Sequence, residues 1–251
     1  MLVLTWNLNV GEAGHPDVAA VLRELDADLI LLQEVSSAWI PTLSPLDDTW
    51  PHMAFAGEDA GGLALLSKTP LTQVQTSDSA VDWFPAQSAT VQAPWGPLEV
   101  MNVHLVPPFT RIGGGMLSLG VGWWTRHDDR KREAVEHLEV LGVPSLMAGD
   151  FNTNERGRAL RWLAREHGLE SALPQHQPRA KTWAWPRLPA WRLDHILLDD
   201  CLVAESAQVH RVGPSDHWPV TTQIATATDA DACAAATAPS DEAQHGGADG
   251  S

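Results

Sequence analysis

The sequence is poor in residue types that mark several common classes of protein. Its 251 residues include no tyrosine and two cysteines, and 16 basic residues stand against 32 acidic ones, which gives a formal net charge of −16. A surface this acidic repels polyanions at long range and argues against tight, sequence-independent binding of duplex nucleic acid. It leaves room for local basic strips beside a site.

Membrane and export signals are also missing. No stretch reaches the roughly 18 apolar residues of a membrane-spanning helix. The opening residues MLVLTWNLNV lack the charged region followed by a long apolar run that a signal peptide has. Cys201 and Cys233 are too few for a disulfide framework, and Cys233 lies in a segment expected to be disordered. We therefore expect a cytoplasmic protein without a structural disulfide.

Residues 226–251 differ from the rest in composition. They are rich in alanine, glycine, serine and aspartate and contain no lysine, arginine or large apolar residue. Such a segment cannot bury enough apolar surface to offset the entropy of ordering it. The composition predicts a disordered acidic tail after a folded domain at residues 1–225.

Strand and helix patterns alternate along residues 1–225. Short apolar runs bounded by charge or glycine predict strands, as at 28–35 and 63–67, whereas apolar spacings of three and four predict helices near 16–25 and 126–141. Strands outnumber helices, and several neighbours are close enough to form hairpins. The pattern predicts an α/β sandwich of mixed β-sheets flanked by helices.

Polar side chains recur at the ends of the predicted strands. Strand ends in α/β folds converge on one rim, where ligands bind. A rim of carboxylates, amides and imidazoles suits a hard, oxygen-seeking cation such as Mg²⁺, with Mn²⁺ as the alternative. No CxxC or HExxH motif is present, which disfavours a thiolate zinc site or a zincin. The residues are Asn7, Gln33, Glu34, Asn102, His104, Asp150, Asn152, Asp194, His195, Ser215, Asp216 and His217.

Each motif alone has a simpler explanation. An asparagine after a strand, or a lone GDxN, is usually a turn, and a histidine inside a strand is more often a core residue. Their combination and order carry the prediction. The segments WNLN, LLQEV, GGLALLS, NVHL, GDFN, WRLDHILL and SDHWP resemble the endonuclease/exonuclease/phosphatase superfamily, which includes deoxyribonuclease I, repair nucleases of the exonuclease III type, neutral sphingomyelinases and inositol-polyphosphate 5-phosphatases.

The resemblance spans roughly residues 1–224 and implies a fold, an activity and a metal site. The implied fold is the four-layered sandwich of deoxyribonuclease I, with two mixed β-sheets face to face and helices outside. The implied activity is Mg²⁺-dependent hydrolysis of a phosphodiester. Glu34 is then the main metal-binding carboxylate, assisted by Asn7, and Asp216 resembles a residue that assists metal binding or leaving-group protonation.

The resemblance also implies catalytic roles. Asp150 resembles the residue that orients or deprotonates the attacking water, and Asn152 the one that holds a nonbridging phosphate oxygen. His217, oriented by Asp194, resembles the imidazole that faces the scissile phosphate. His104 stands where deoxyribonuclease I and the sphingomyelinases have histidine and the repair nucleases have tyrosine. An imidazole held by a carboxylate keeps a defined tautomer and a raised pKa, which agrees with these roles.

Two positions depart from the repair-nuclease pattern: His104, and Asn9, where those enzymes carry an acid. Both differences favour the deoxyribonuclease I and sphingomyelinase side of the superfamily. The carboxylate partner of His104 is not evident, and Glu58 and Asp59 are the candidates.

The substrate is less defined by the sequence. Trp183 and Arg192 belong to a cluster of tryptophan and basic residues before LDH, which could stack bases and hold phosphates; with Asn102 they are the predicted substrate contacts. The glycine-rich, apolar segment 107–125 is either a loop packed over a groove or a flap that touches substrate or a membrane surface. A nuclease acting on nucleic acid or a nucleotide is favoured over a sphingomyelinase-like or small-molecule phosphodiesterase, and over a non-catalytic binding module.

Overall fold

The computed structural model describes residues 1–78, 84–107, 126–185 and 189–227. The predicted disordered tail lies outside the described residues except for its first two positions, and the segment 107–125 lies outside them except for Pro107. Both predictions therefore stay predictions. Within the described ranges, no helix has the length and apolar character needed to cross a membrane.

Two six-stranded β-sheets form the centre of the protein. Sheet 1 has the order β11-β12-β1-β2-β4-β3 and sheet 2 the order β5-β6-β7-β8-β10-β9. Sheet 1 contains β1 (Leu2–Asn7), β2 (Leu29–Gln33), β3 (His52–Ala56), β4 (Leu63–Ser67), β11 (Leu202–Val209) and β12 (Val220–Thr226). Sheet 2 contains β5 (Leu71–Ser77), β6 (Ala86–Ala93), β7 (Gly96–His104), β8 (Leu146–Asp150), β9 (Glu170–Ser171) and β10 (Asp194–Leu198).

Both sheets are mixed in the same way. The neighbours β1 and β2 run parallel in sheet 1, and β7 and β8 run parallel in sheet 2. All other described pairs are antiparallel, including β1 with β12, which places Leu2 opposite Gln223. The predicted sandwich of two mixed sheets is confirmed.

Helices complete the outer layers. One apolar cluster lies between the two sheets, a second joins sheet 1 to its helices, and a third joins sheet 2 to its own. The helices are α1 (Asp17–Leu25), α2 (Ile40–Leu43), α3 (His127–Leu141), α4 (Arg158–His167) and α5 (Leu173–His176), with short 3₁₀ turns at Val10–Glu12, Ser37–Trp39, Ser44–Leu46 and Asp59–Gly61.

Strand β2 shows how the sequence specifies this layering. Its residues LILLQ are all buried, because Leu29 and Leu31 face the other sheet while Ile30 and Leu32 face the helices. Burying each such side chain contributes about 1.5–3 kcal/mol. A strand covered on both faces reads as a continuous apolar run, and this is why the sequence predicts it well.

The cysteine prediction is wrong. Cys201 is disulfide-bonded, and Cys233, the only other cysteine of the sequence, lies outside the described residues. The Ala227 backbone N–H donates to the Cys201 carbonyl at 2.9 Å, so the chain leaves β12 beside Cys201. The predicted cytoplasmic location stays a prediction.

A buried histidine on α3 makes the fold sensitive to acid. His137 contacts the Ser77 hydroxyl at 3.2 Å, and burial lowers its pKa to about 4. The unfolded chain takes up this proton near pH 6.5, so the neutral folded form is fully favoured above that pH and loses stability as the pH falls from about 6.5 towards 4.

The free energy of unfolding of the wild type falls between pH 7 and pH 5, because unfolding exposes His137 to protonation. We expect this fall to be about 2 kcal/mol smaller in His137→Gln. Urea unfolding curves at the two pH values measure it. His176→Gln, at an exposed position, controls for the loss of a histidine. An unchanged fall in His137→Gln would contradict the assignment.

Candidate active site

One edge of the sandwich collects the polar strand ends. Parallel strands end on the same side, so Asn7 at the end of β1 lies beside Gln33 of β2, and His104 at the end of β7 lies beside Asp150 of β8. Strand β10 runs the other way and begins with Asp194 directly opposite Asp150. The two central parallel pairs therefore bring side chains of both sheets to this edge.

Asp150 is at the centre of the edge. Its side chain is almost completely buried. One carboxylate oxygen, Oδ1, accepts the backbone N–H of Asn152 at 2.8 Å, and the other, Oδ2, accepts Nδ2 of Asn7 at 3.1 Å. Nε2 of His104 and Nε2 of His217 lie 3.5 and 3.7 Å from Oδ2. Nδ2 of Asn152 donates to the same oxygen at 3.2 Å, so two imidazoles and two amides converge on one oxygen atom.

The GDFN turn gives Asp150 its orientation. Gly149 has a φ of 146°, and a Cβ atom there would lie 1.9 Å from the Val103 carbonyl oxygen, so only glycine fits. Asn152 has a φ of 51° and turns its amide inward, where Nδ2 donates to the Leu105 carbonyl at 2.9 Å and to Asp150 at 3.2 Å. A contact from Asn152 to a phosphate oxygen requires one of these bonds to be exchanged.

His217 and Asp194 form a buried pair. Nδ1 of His217 lies 3.0 and 2.9 Å from the two carboxylate oxygens of Asp194. The backbone of His217 is held as well, because its N–H donates to the Ser215 hydroxyl at 3.0 Å and its carbonyl accepts the Trp6 indole N–H at 3.0 Å. The imidazole is fixed, with Nε2 directed towards Asp150.

The charges of this cluster shift two pKa values. Burial alone disfavours the imidazolium form of His217, but the carboxylates of Asp194 and Asp150 outweigh burial and raise its pKa to about 10. Burial raises the pKa of Asp150 to about 6, helped by Asp194 and opposed by His217 and His104. At neutral pH the arrangement is therefore a cationic imidazole facing an ionised carboxylate.

His104 has a different partner from the predicted ones. Its Nδ1 lies 3.1 Å from the carbonyl oxygen of Ala60, and its ring stacks on Phe84 with centroids 4.2 Å apart. The predicted carboxylates, Glu58 and Asp59, are the residues just before Ala60. The prediction is wrong because a backbone carbonyl, which any residue can supply, orients the ring and leaves Nε2 towards Asp150.

A second set of polar atoms links Glu34 to Asp216. Glu34 follows β2 with a φ of 58° and accepts Nδ2 of Asn7 at 3.0 Å and the Val10 N–H at 2.8 Å. The Asn7 side-chain oxygen accepts the Asn9 N–H at 3.0 Å, and Nδ2 of Asn9 donates to Asp216 at 2.8 Å. All three residues predicted to bind metal therefore belong to one hydrogen-bonded chain, joined by Asn9.

The donor atoms of this region fit a hard divalent cation. Nδ2 of Asn7 lies between a carboxylate oxygen of Glu34 and one of Asp150, at 3.0 and 3.1 Å. A cation that replaced these hydrogen bonds would meet the carboxylates of Glu34 and Asp150 and the side-chain oxygen of Asn7, an oxygen-rich donor set without sulfur that suits Mg²⁺ or Mn²⁺.

A second group of donor atoms lies beside the first. Donor atoms of Asp150, Asp194 and His217 lie within 4.8 Å of one another, close enough to surround a cation. Because Nδ1 of His217 is already bonded to Asp194, we assign that pair to holding a proton rather than a metal.

Trp183 lies at the rim of the site. It stacks on Trp191 with centroids 5.3 Å apart and an interplanar angle of 11°, and its indole N–H donates to Asp216 at 2.8 Å. Its ring centroid is 6.4 Å from that of His217. Trp183 is buried, so it lies beside His217 and fixes the orientation of Asp216, and its predicted contact with substrate stays a prediction.

The other two predicted substrate contacts lie elsewhere. Asn102 is fully buried and bridges the sheets: its Nδ2 donates to the Leu32 and Ala64 carbonyls, and its Oδ1 accepts Gln33 Nε2 at 2.7 Å. Arg192 is also buried; it donates to Glu155 and to three carbonyls between residues 177 and 180. The donors of both side chains are satisfied inside the fold, which does not support either contact, and both stay predictions.

The sequence reasoning missed the buried charges of α3. Nη1 of Arg130 donates to the Val106 carbonyl at 3.2 Å, and Glu133 accepts the Val106 N–H at 2.8 Å, so two charged side chains hold the chain just after His104. Burial lowers the pKa of Arg130 to about 10, and Asp150 is the first of the carboxylates that oppose this shift. The signal was present, because Arg130, Glu133 and His137 have the spacing of a buried helix face.

The sequence matches the model of a known protein family. The family model described as the endonuclease/exonuclease/phosphatase family matches residues 4–217. No curated protein sequence matches the chain significantly.

Among solved structures, an endonuclease/exonuclease/phosphatase from Beutenbergia cavernae DSM 12333 has a TM-score of 0.69 and 20% identity over 90% of this chain and 71% of its own. The 3′ phosphatase NExo from Neisseria, bound to a product DNA hairpin, has a TM-score of 0.66 and 20% identity over 89% and 98%. Sphingomyelinase C from Streptomyces griseocarneus has a TM-score of 0.60 and 17% identity over 88% and 98%. At these identities the likeness shows a shared fold.

Proposed function

The chain belongs to the endonuclease/exonuclease/phosphatase family, a family of phosphoester hydrolases, and from this membership we propose that it is a Mg²⁺-dependent phosphodiesterase of the nuclease type. The observation that carries the proposal is the convergence of His104, His217 and Asn7 on the Asp150 carboxylate, with Asp194 behind His217. Hydrolysis of a phosphodiester needs a group that accepts a proton from water and groups that stabilise the phosphorane charge, and this cluster contains both.

Asp150 is assigned to the attacking water. Its carboxylate is ionised at neutral pH, and its pKa of about 6 makes it a stronger proton acceptor than an ordinary aspartate. His104 and Asn7 fix the position of Oδ2, so the carboxylate needs no reorganisation when a water molecule binds.

His217 is assigned to the phosphate. As a cation it can donate Nε2–H to a nonbridging oxygen and stabilise the negative charge of the transition state. Asp194 holds the ring through Nδ1 and keeps this orientation. Asn152 remains assigned to the same phosphate, by exchange of one of its internal bonds.

Glu34 and Asn7, with Asp216 nearby, are assigned to hold the divalent cation. Bound there, Mg²⁺ would polarise a phosphoryl oxygen and neutralise charge on the leaving oxygen. The hydrogen bonds from Asn7 and from the Val10 N–H keep the Glu34 carboxylate directed to this position.

The rim favours a nucleic-acid substrate. Buried Trp183 stacks on half-buried Trp191 beside His217, and Trp185, which follows Trp183 along the chain, is exposed. Aromatic rings beside a phosphate site can stack on nucleobases. DNA is also the ligand named for the similar Neisseria structure, which supports the same choice.

Removal of divalent cations is expected to abolish activity. Without a cation, the carboxylates of Glu34 and Asp150 repel the anionic phosphate, so hydrolysis of bis-p-nitrophenyl phosphate should fall to background in EDTA and return with Mg²⁺ or Mn²⁺. Glu34→Gln, which keeps the shape of the side chain, should need a higher metal concentration for half-maximal rate. Full activity in metal-free buffer would exclude this role.

The substrate class is tested by a direct comparison. Single-stranded DNA, plasmid DNA, sphingomyelin vesicles and inositol phosphates are incubated with the enzyme and Mg²⁺ at equal phosphate concentration. We expect the highest kcat/KM on DNA. A preference for sphingomyelin would replace the nuclease assignment with a phospholipase one and leave the assigned catalytic residues unchanged.

A further inference from the structure

A basic groove lies on the outer face of sheet 2, between α3 and α4. Its volume is about 260 Å³. Although the chain has only 16 basic residues against 32 acidic ones, four of them line this one groove. Its lining residues are Asp128, Lys131, Arg158, Arg161, Trp162 and Arg165.

The arginines of the groove form a row along α4. Arg158, Arg161 and Arg165 are exposed and are spaced by three and four residues, so they share one face of the helix. Leu160 and Leu163 lie on the opposite, buried face. At a rise of 1.5 Å per residue, the row extends for about 10 Å along the helix axis.

The other side of the groove adds a cation and an aromatic ring. Nζ of Lys131 lies 5.7 Å from the centroid of Trp162. Asp128 is the one acid among the described residues that line the groove, and a salt bridge pairs it with Arg158. Lys131, Arg161 and Arg165 therefore leave the groove with a net positive charge.

The groove connects to the catalytic edge through two residues of α3. Nη2 of Arg130, the buried cation near Asp150, lies 3.3 Å from Nδ1 of His127. Burial lowers the pKa of His127, and the charges of Arg130, Arg158 and Arg161 lower it further. A buried guanidinium and an imidazole therefore lie between the surroundings of Asp150 and the arginine row.

We propose that this groove binds the phosphates of a single nucleic-acid strand whose scissile phosphate lies at Asp150, an inference that rests on the proposed nuclease function. A concave groove with a row of arginines fits the successive phosphates of a single strand. A membrane surface fits less well, because the groove is concave and Trp162 is partly covered by Lys131 and by the His167 ring, whose centroid is 4.8 Å away.

The charge of the whole chain is consistent with this surface. Screening limits the reach of exposed charges to about 8 Å at physiological salt. A strand in the groove therefore responds to the nearby arginines rather than to the distant acids.

The test measures binding and chemistry separately. Fluorescence anisotropy of a labelled 20-residue oligothymidylate is recorded in EDTA, where no cleavage occurs, for Arg161→Glu and Arg165→Glu. The matched control is Arg132→Glu, an exposed reversal on α3 whose arginine pairs with Asp129 and Glu136. Hydrolysis of bis-p-nitrophenyl phosphate with Mg²⁺ checks that each variant is folded and active.

We expect Arg161→Glu and Arg165→Glu each to weaken oligothymidylate binding about tenfold and to reduce the slope of log K against log salt by about 0.7, the value for one lost phosphate contact on a single strand. The control should stay within about twofold of the wild type, and small-diester hydrolysis should not change.

Equal binding by all three variants overturns the groove assignment, even if the wild type cleaves DNA. A variant effect confined to co-sedimentation with phosphatidylglycerol vesicles also overturns it, in favour of a lipid surface. Failure of the wild type to cleave DNA while it hydrolyses another phosphodiester overturns the nuclease function itself, and with it the substrate assigned to the groove.

Discussion

Asp150→Asn is expected to lower kcat by about 10²-fold or more, because asparagine keeps the shape of the side chain but cannot accept a proton. The substitution also removes the negative charge between His104 and His217. The measurement is the rate of bis-p-nitrophenyl phosphate hydrolysis at saturating Mg²⁺, with the melting temperature in EDTA recorded for the same preparation.

The control for this variant is Asp199→Asn. Asp199 is a half-buried aspartate at the other end of β10, where it accepts the Cys201 N–H at 3.0 Å, and its replacement should leave kcat near the wild-type value. If Asp150→Asn keeps more than a tenth of the wild-type rate while folded, Asp150 does not activate the water.

His217→Ala is expected to lower kcat by about 10²–10⁴-fold, the contribution of a positioned acid–base group. The imidazolium faces Asp150 and, in the proposed complex, the phosphate, so its loss removes charge stabilisation from the transition state. KM for a small diester should change much less than kcat, because the interaction is strongest in the transition state.

The partner residue offers an internal control. Among the described residues, the side-chain hydrogen bonds of Asp194 go to Nδ1 of His217, so it is assigned as a positioning residue. Asp194→Asn should reduce kcat, but the double variant His217→Ala/Asp194→Asn should be no slower than His217→Ala alone. Losses that multiply would mean that Asp194 acts on the reaction independently.

The parts of the fold that the sequence predicts best are the buried ones. Strand β4 begins and ends where the pattern predicts, at Leu63 and Ser67, because both faces are covered and every position is apolar or small. The sequence does not predict strand β5, because its residues LTQVQTS are mostly exposed and, among the described strands, it pairs with β6 alone at the edge of sheet 2. An edge strand that buries little apolar surface has no hydrophobic periodicity, so the sequence alone does not predict it.

The features of the site also divide into those that the residue types reveal and those that they do not. Asp150, Asp194 and His217 carry their chemistry in their side chains and stand at strand ends, so pattern and resemblance together could identify them. The partner of His104 is a backbone carbonyl, which leaves no trace in the residue type. Asn102 and Arg192 look like substrate ligands in sequence, and only their hydrogen bonds show that their polar atoms are used between the sheets and in the loop beside Glu155.

The pairing of β1 with β12 has a consequence for the timing of synthesis. A ribosome makes β1 first and β12 last among the twelve strands of the described residues, so β1 lacks its antiparallel neighbour until the last of these strands has been made. Asn7 and Glu34 emerge early, whereas His217 arrives with the final strand. The cluster around Asp150 is therefore incomplete until the segment that contains His217 and β12 has been made.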